Sequence, residues 1–248
     1  MQQIHPVERL PLAGYPIIST TAAALSAMLQ ARLAAAKKTV LVFANTNFVL
    51  KCAPSRSWLC SENVIIVNDG IGLDIAALIM HGRRYQENLN GTDFSPYLLK
   101  SCNVRRKIFL FGGKPGVAEK AGIVIEREFG HQIAGCLNGY SQMTSTALRD
   151  EINRSGAEIV LVAMGNPKQE EWIRANMNAL DAKLFIGVGA LFDFLSGGAQ
   201  RAPRWIQKIH CEWLYRLYLE PRRLMRRYTV DVISFLFVCL HYRRPGKT

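Results

Sequence analysis

Short runs of consecutive apolar residues, many of them β-branched, alternate along the chain with segments whose apolar residues recur every three or four positions. Uninterrupted apolar runs of this length are typical of parallel strands buried on both faces. The predicted strands cover residues 15–18, 39–44, 64–67, 107–111, 158–163 and 183–188, with one more short strand ending near residue 139. Their alternation with helices predicts an α/β fold with a mostly parallel sheet.

Polar residues and glycines recur where these predicted strands end. Asn45 and Asp69 each follow a buried strand, Gly112 and Gly113 follow another, and Gly165 and Gly189 follow two more. The carboxyl ends of parallel strands meet at one edge of a sheet, where α/β proteins bind their ligands. The repetition in at least five strands predicts a Rossmann-like sheet with flanking helices and a functional site at that edge.

Asp69 stands between a buried strand and the start of a helix. Gly70 and Gly72 follow it and would allow a substrate to approach closely. A carboxylate at this position can take a proton from a substrate, but an Asp-Gly pair at a helix start can also simply cap the helix. Both interpretations stay open from these residues alone.

The segment Gly112-Gly113-Lys114-Pro115-Gly116 joins a strand to a helix over residues 117–129. Backbone N–H groups in such a turn can bind a diphosphate, or the segment can be a plain tight turn, because it matches neither common nucleotide-binding glycine motif.

Thr20 or Thr21 is predicted to cap an alanine-rich helix that runs to about residue 36, and four further residues are predicted to open helices. Thr92 or Asp93 would cap one helix, with Pro96 in its first turn, and Thr144 would cap another. Asn166 would cap a third, whose first turn presents Lys168, Gln169 and Glu170 either to the sheet edge or to solvent.

Positive charge is concentrated in the last fifth of the chain. The formal net charge is +12, and eleven lysines and arginines against three acidic residues after residue 200 account for eight of those charges. Such an excess indicates an anionic partner, which could be nucleic acid, an acidic membrane or a diphosphate. Residues 230–240 form an apolar helix of about 17 Å, too short to span a bilayer but suited to lie on one. Packing of this helix into a core is the alternative.

These patterns predict an α/β catalytic domain over residues 1–198 and a basic, helical, membrane-associating appendage over residues 199–248. The six cysteines are scattered without metal-binding spacing, which predicts reduced thiols and a cytoplasmic location. Glu8 and Pro11 do not fit an export signal. The sequence contains no Asp-x-Asp motif, the carboxylate pair that usually holds a metal ion against a nucleotide sugar. This absence argues against a substrate bound through a metal ion.

Two function classes remain from the residues alone. One is a transferase that uses a nucleotide diphosphate donor at a membrane, and the other is a basic α/β protein that binds nucleic acid. The second would need arginines and aromatic residues over one groove-sized face. Here the basic residues flank an apolar helix, which favours lipid over nucleic acid.

Several motifs, in this order, resemble the WecG/TagA/CpsF glycosyltransferase family over roughly residues 40–228. They are Asn45, Asp69-Gly70-Ile71-Gly72, Gly91-Thr92-Asp93, Leu110-Phe111-Gly112-Gly113-Lys114-Pro115, Gly139-Tyr140, Gly165-Asn166-Pro167-Lys168-Gln169-Glu170, Gly187-Val188-Gly189, Arg201-Ala202-Pro203 and Glu212-Trp213-Leu214-Tyr215-Arg216-Leu217. The sequence around residues 45–48 and 88–93 is most similar to the GumM-like branch of this family, whose members act in exopolysaccharide assembly.

The resemblance implies an inverting, metal-independent transfer of a sugar, glucose by branch similarity, from a UDP-sugar to a polyprenyl-diphosphate-linked monosaccharide. Asp69 would be the base, and no cofactor is implied. Substrate-binding residues would be Asn45, Thr46, Gly91, Asp93, Gly112, Gly113, Tyr140, Gln169, Glu170, Arg201, Arg216 and Arg223. The alternative within the family is transfer of N-acetylmannosamine, or its uronic acid, in cell-wall polymer assembly.

The same resemblance implies peripheral attachment to the inner face of an anionic cytoplasmic membrane and no nucleic-acid partner, with a homo-oligomer left open. Two positions depart from the family pattern. Phe43 stands where a threonine is common, with Thr46 as a substitute, and Asn88 replaces an arginine, with Arg83 or Arg84 as substitutes.

Overall fold

The centre of the molecule is an eight-stranded sheet in the computed structural model, which describes residues 8–198, Tyr215, Leu217 and residues 230–243. The strands are β1 (Glu8–Arg9), β2 (Ile18–Ser19), β3 (Thr39–Ala44), β4 (Val64–Asn68), β5 (Lys107–Gly112), β6 (Gln132–Leu137), β7 (Ile159–Ala163) and β8 (Leu184–Gly187). Their order is β1-β2-β4-β3-β8-β7-β5-β6. Only β1 pairs antiparallel among these strands, so the predicted mostly parallel α/β sheet is confirmed.

Helices cover both faces of the sheet. They are α1 (Ala22–Ala34), α2 (Thr46–Lys51), α3 (Arg56–Leu59), α4 (Ile71–His81), α5 (Gly91–Ser101), α6 (Val117–Phe129), α7 (Ser145–Ser155), α8 (Lys168–Asn176), α9 (Leu191–Leu195) and α10 (Val230–Arg243). A short 3-10 turn, Ala53–Ser55, precedes α3. Helices α2, α4, α7, α8 and α10 contribute to one core cluster, and α1, α5, α6 and α9 contribute to the other.

Strand β3 shows why the long apolar runs form central strands. All six of its residues are buried. Val40 and Val42 belong to one core, while Leu41 and Phe43 belong to the other. Because successive side chains point to opposite faces, only an uninterrupted apolar run can fill both cores.

The predicted helix starts are confirmed in two places and wrong in two others. Thr21 and Thr144 cap α1 and α7 through their side-chain oxygens, as predicted. Helix α5 is capped by Asn90, whose Oδ1 accepts from the Asp93 N–H at 2.9 Å, and not by Thr92 or Asp93. Pro167, and not Asn166, is the N-cap residue of α8, because the Glu171 N–H bonds to the Pro167 carbonyl.

Helix α10 packs against α2 and α4. Phe235 and Cys239 are buried in the core, whereas Ile233, Phe237 and Leu240 are exposed on the outer face. The inner face thus follows the alternative of core packing, and the outer face keeps the apolar character expected of an interfacial helix. None of the helices in the described ranges is long and apolar enough to cross a membrane.

The end of α10 is held by an aromatic sandwich. The Arg56 guanidinium lies 4.9 Å from the centre of the Tyr15 ring and 4.4 Å from that of Tyr242, to whose hydroxyl it also donates a hydrogen bond. A Cβ atom at Gly14 would come within 2.9 Å of the Tyr242 ring, so glycine permits this contact. The predicted boundary between residues 198 and 199 adjoins a segment outside the described residues.

Candidate active site

The carboxyl ends of β3, β4, β5, β7 and β8 open into one cleft of about 1340 Å³. Its walls come from the loops that follow these strands and from the first turns of α2, α4 and α5. The edge of the sheet at which the site is predicted therefore opens into a cavity large enough to take a ligand. The residues that form it fall into groups on opposite walls.

Asp69 lies on the β3–β4 wall, half-buried and lining the cleft. Asn45 Nδ2 donates to Asp69 Oδ2 at 3.0 Å, and the Asp69 N–H bonds to the Ala44 carbonyl at 2.7 Å. Asn45 is itself fixed, because its Oδ1 caps α2 by accepting from the Phe48 N–H. The N-cap residue of α4 is Gly70, so the interpretation of Asp69 as that cap is wrong.

The turn after Asp69 depends on glycines and on Asn88. Gly70 has φ +93°, a conformation that strains other residues, and its N–H donates to Asn88 Oδ1 at 2.7 Å. A Cβ atom at Gly72 would lie 2.9 Å from the Thr46 methyl group, so Thr46 packs directly on this turn. Asn88, which departs from the family pattern, therefore holds the backbone next to the proposed base.

Gly91 and Asp93 are also at the cleft, in the first turn of α5. A Cβ atom at Gly91 would come within 2.8 Å of the Phe43 ring, so the Phe43 ring fits only because residue 91 has no side chain. Asn90 Nδ2 donates to Asp93 Oδ2 at 2.7 Å, which fixes that carboxylate on the wall.

The glycine-rich turn after β5 divides into a structural and an exposed part. Gly112 has φ +121°, and a Cβ there would lie 2.3 Å from the Ala163 carbonyl oxygen, so this residue keeps β5 close to β7. The Gly113 N–H bonds to the same oxygen at 2.9 Å. Gly113 and Lys114 line the cleft, but Gly112 does not. The Gly113 N–H is therefore already bonded within the sheet, and Lys114 is the charged residue that this turn brings to the cleft.

Gln169 lies on the β7–β8 wall and is 3% exposed. Its Oε1 accepts from the backbone N–H of Gly165 at 3.2 Å and from that of Gly189 at 3.1 Å. Its Nε2 donates to Glu170 Oε1 at 2.8 Å. A Cβ at Gly187 would lie 2.7 Å from Nε2, so the amide packs against bare backbone. These bonds tie the loops after β7 and β8 together.

Glu170 is fully buried and does not line the cleft, so the prediction that it contacts substrate requires correction. It accepts from Gln169, and the Cys52 thiol donates to its Oε2 at 3.6 Å. Burial raises the pKa of the Glu170 carboxyl, and burial also raises the pKa of the Cys52 thiol. Glu170 orients Gln169 from behind the wall.

The described part of the cleft is rich in negative charge. Its acidic side chains are Asp69, Asp74, Glu87, Asp93 and Asp193, and its basic side chains are Lys114 and Lys168. Tyr140 stands at the cleft and is 71% exposed. Arg201, Arg216 and Arg223 lie outside the described residues. Within the ranges that the structure describes, no three histidine, cysteine, aspartate or glutamate side chains gather in a way that could hold a metal ion.

Sequence reasoning missed Asn88, Asp74 and Asp193 as cleft residues. Asp74 lies one turn into α4, where its Oδ1 is 3.4 Å from Nδ2 of the buried Asn68. The sequence signal that could have identified Asp74 is its position five residues after Asp69, across the junction between a strand and a helix. Asn88 lies in an irregular segment, where periodicity carries no information.

Fold and cleft together define a protein of the α/β class, with a carboxylate and an amide held side by side at the strand ends. A model of the glycosyl transferase WecG/TagA/CpsF family matches residues 10–248, and the chain belongs to this family of glycosyl transferases. The resemblance drawn from the motifs is thereby confirmed.

One relative is similar to the chain over much of its length. It is the N-acetylglucosaminyldiphosphoundecaprenol N-acetyl-beta-D-mannosaminyltransferase of Bacillus subtilis (strain 168), 34% identical over 172 residues. The match covers 68% of this chain and 66% of the relative, just under two thirds of the relative's length.

Proposed function

We propose that the protein transfers N-acetylmannosamine from a UDP donor to N-acetylglucosamine linked through a diphosphate to a polyprenol. The name of the 34% identical relative describes a transfer of this kind, which favours it over the glucose transfer expected from the GumM-like resemblance. The observation that carries the proposal is the hydrogen-bonded pair of Asn45 and Asp69 at the cleft.

Asp69 acts as the general base in this proposal. Its carboxylate takes the proton from the acceptor hydroxyl while that oxygen forms a bond to the anomeric carbon of the donor. The bond between that carbon and the UDP oxygen breaks on the opposite face, so the configuration is inverted and UDP leaves as an anion. Asn45 supports this step because it binds Oδ2 and orients the carboxylate.

The leaving diphosphate needs positive charge, and the described part of the cleft offers two lysines, Lys114 and Lys168, against five carboxylates. We assign the remaining charge to Arg201, Arg216 and Arg223 of the basic region, which makes the transfer independent of a metal ion. The concentration of net charge after residue 200 supports this assignment. The same basic region, with the apolar outer face of α10, would attach the protein to the inner face of an anionic cytoplasmic membrane.

The test is a matrix of radiolabelled donors and lipid-linked acceptors in vesicles. Donors are UDP-N-acetylmannosamine, its uronic acid and UDP-glucose, and acceptors are polyprenyl-diphosphate-N-acetylglucosamine and polyprenyl-diphosphate-glucose, each with and without EDTA. Labelled lipid from the first donor and first acceptor, unchanged by EDTA, is expected. Product from UDP-glucose alone would overturn the donor assignment, and a strict need for Mg²⁺ or Mn²⁺ would overturn metal independence.

A further inference from the structure

The outer face of α4 is unusually apolar for a surface helix. Residues 71–80 contain a single charged side chain, Asp74, and that residue lines the cleft. The outward residues Ile71, Ile75, Leu78 and Ile79 are between 40% and 52% exposed. The opposite face is buried in the core, so α4 is apolar on both sides, although the part of the chain that the structure describes covers only one of them.

Other helices of the protein show the ordinary arrangement. Helix α7 carries Arg149, Asp150, Glu151 and Arg154 among its eleven residues. Among the described helices, only α4 and α10 carry more than one exposed large apolar side chain. Contiguous exposed apolar surface of this kind marks an interaction site more often than scattered single residues do.

The four residues of α4 form one continuous stripe. At 3.6 residues per turn they fall within an arc of about 100°, and at 1.5 Å per residue the stripe runs for about 12 Å. Its first members, Ile71 and Ile75, also line the cleft. Ile71 is two residues from Asp69, so the stripe begins beside the proposed base and leads away from it.

Helix α10 extends the apolar surface at the same side of the cleft. It packs against α4, and Val232 near its start lines the cleft. Ile233, Phe237 and Leu240 follow at helical spacing and are 58%, 68% and 47% exposed. Two helices in mutual contact thus each carry an exposed apolar stripe, and both reach the cleft.

We infer that the outer face of α4 binds the hydrocarbon chain of the lipid-linked acceptor while the acceptor sugar lies at Asp69. This inference rests on the proposed function, since it needs an acceptor with a lipid chain. A chain joined through a diphosphate to a sugar at Asp69 must leave the cleft at its mouth, where Ile71 and Ile75 stand. A protein partner seated on the same stripe would cover that mouth, which favours a thin flexible chain as the occupant.

The test compares two acceptors that share the same sugar diphosphate, one with a long polyprenyl chain in detergent micelles and one with a short, water-soluble chain. The variant is the double substitution Leu78→Ser and Ile79→Ser, because neither side chain lines the cleft, with Ile79→Ser alone as a second variant should the first fail to fold. The control is Ile123→Ser, because Ile123 is 62% exposed on α6 and does not line the cleft. We expect the KM for the long-chain acceptor to rise about tenfold in the double variant, with kcat unchanged.

The short-chain acceptor separates this inference from the function on which it rests. An unchanged KM for that acceptor supports chain binding by α4. An equal rise for both acceptors would overturn it, because the stripe would then serve the sugar site. Unchanged KM values with reduced sedimentation on anionic vesicles would also overturn it, in favour of docking to the bilayer. If the unmodified protein glycosylates the short-chain acceptor and the variants leave both KM values unchanged, chain binding is wrong and the proposed function stands.

Discussion

The two walls of the cleft use similar residues in different ways. On the β3–β4 wall, Asn45 is committed to helix α2 and to Asp69, and Asp69 lines the cleft. On the β7–β8 wall, the amide of Gln169 is committed to two backbone N–H groups and to Glu170, which is buried. A carboxylate and an amide form a pair on each wall, but only the first pair presents its carboxylate to a ligand.

Burial explains the difference. A half-buried carboxylate at the cleft is accessible to a ligand, whereas a fully buried one is costly to ionise and is useful mainly as a fixed hydrogen-bond partner. In the proposed mechanism the β3–β4 wall would supply the reacting group, whereas the bonds on the β7–β8 wall fix the shape of the cleft. Substitutions on the first wall should therefore lower the rate of transfer, whereas substitutions on the second wall should also lower the stability of the protein.

The largest effect is expected from Asp69→Asn. The amide keeps the size of the side chain but cannot take a proton, so kcat should fall by about 10²- to 10⁴-fold while the melting temperature and the affinity for UDP change little. Transfer assays and calorimetry measure these quantities. Asp150→Asn, on exposed α7, is the matched control, and near-normal turnover of the Asp69 variant would remove Asp69 as the base.

Gln169→Ala should affect stability as well as rate. It removes the acceptor shared by the Gly165 and Gly189 N–H groups and the donor to Glu170, so the free energy of unfolding should fall by about 1–3 kcal/mol. The KM for the donor should rise because the two loops lose their link. Urea denaturation and initial rates give both numbers. A variant with full stability and a reduced rate would instead place the amide in direct contact with substrate.

Asn45→Asp tests the electrostatics of the first wall. Aspartate still caps α2, but it brings a second negative charge to Asp69 and should raise the pKa of that carboxyl. Since the base must be ionised, the acid limb of the pH–rate profile should move to higher pH by about one unit. Asn45→Ser keeps the cap without the charge. The same shift in both variants would contradict a charge effect.

The smallest effect concerns pH and Glu170. Burial raises the pKa of this carboxyl above its ordinary 4.5, so the folded state keeps the proton to higher pH than the unfolded state does. Its contribution to stability therefore declines as pH rises from about 4.5 through the folded pKa, by at most about 1.4 kcal/mol per pH unit.

Glu170→Gln cannot titrate, so the free energy of unfolding of this variant should vary less with pH in that range. Denaturation at a series of pH values gives the two slopes. Parallel slopes for the variant and the unmodified protein would show that Glu170 does not titrate there. Glu119→Gln, at an exposed carboxylate on α6 that does not contribute to the raised pKa of Glu170, is the control.

Much of the fold could be predicted because its signals are local. The β3 run 39–44 and the α6 segment 117–129 have the predicted bounds, since each combines a clear apolar pattern with a defined start and end. Placing Asn45 and Asp69 at one edge needed only the rule that parallel strands end on the same side. Their 3.0 Å contact then follows from the pairing of Ala44 with Asn68 across β3 and β4.

The parts that could not be predicted depend on contacts distant in sequence. Glu170 looked like a ligand because it sits in the first turn of a helix at the cleft, but the Cys52 thiol, far along the chain, meets it from behind. Gly112 looked like part of a phosphate-binding turn. Only the position of the Ala163 carbonyl shows that this glycine allows β5 and β7 to pack closely. The periodicity of apolar residues predicts which face of a helix is buried, but it does not predict which residues that face contacts.

The docking of α10 changes how deletions in this protein should be interpreted. Phe235 and Cys239 are buried where α10 packs on α2 and α4. Helix α2 begins just after its cap Asn45, and α4 begins two residues after Asp69. Removing the end of the chain would open a hydrophobic hole beneath the two residues assigned to chemistry. A loss of activity on truncation would thus reflect damage to the catalytic framework as much as detachment from lipid. Single polar replacements at Ile233 or Phe237 leave that framework whole.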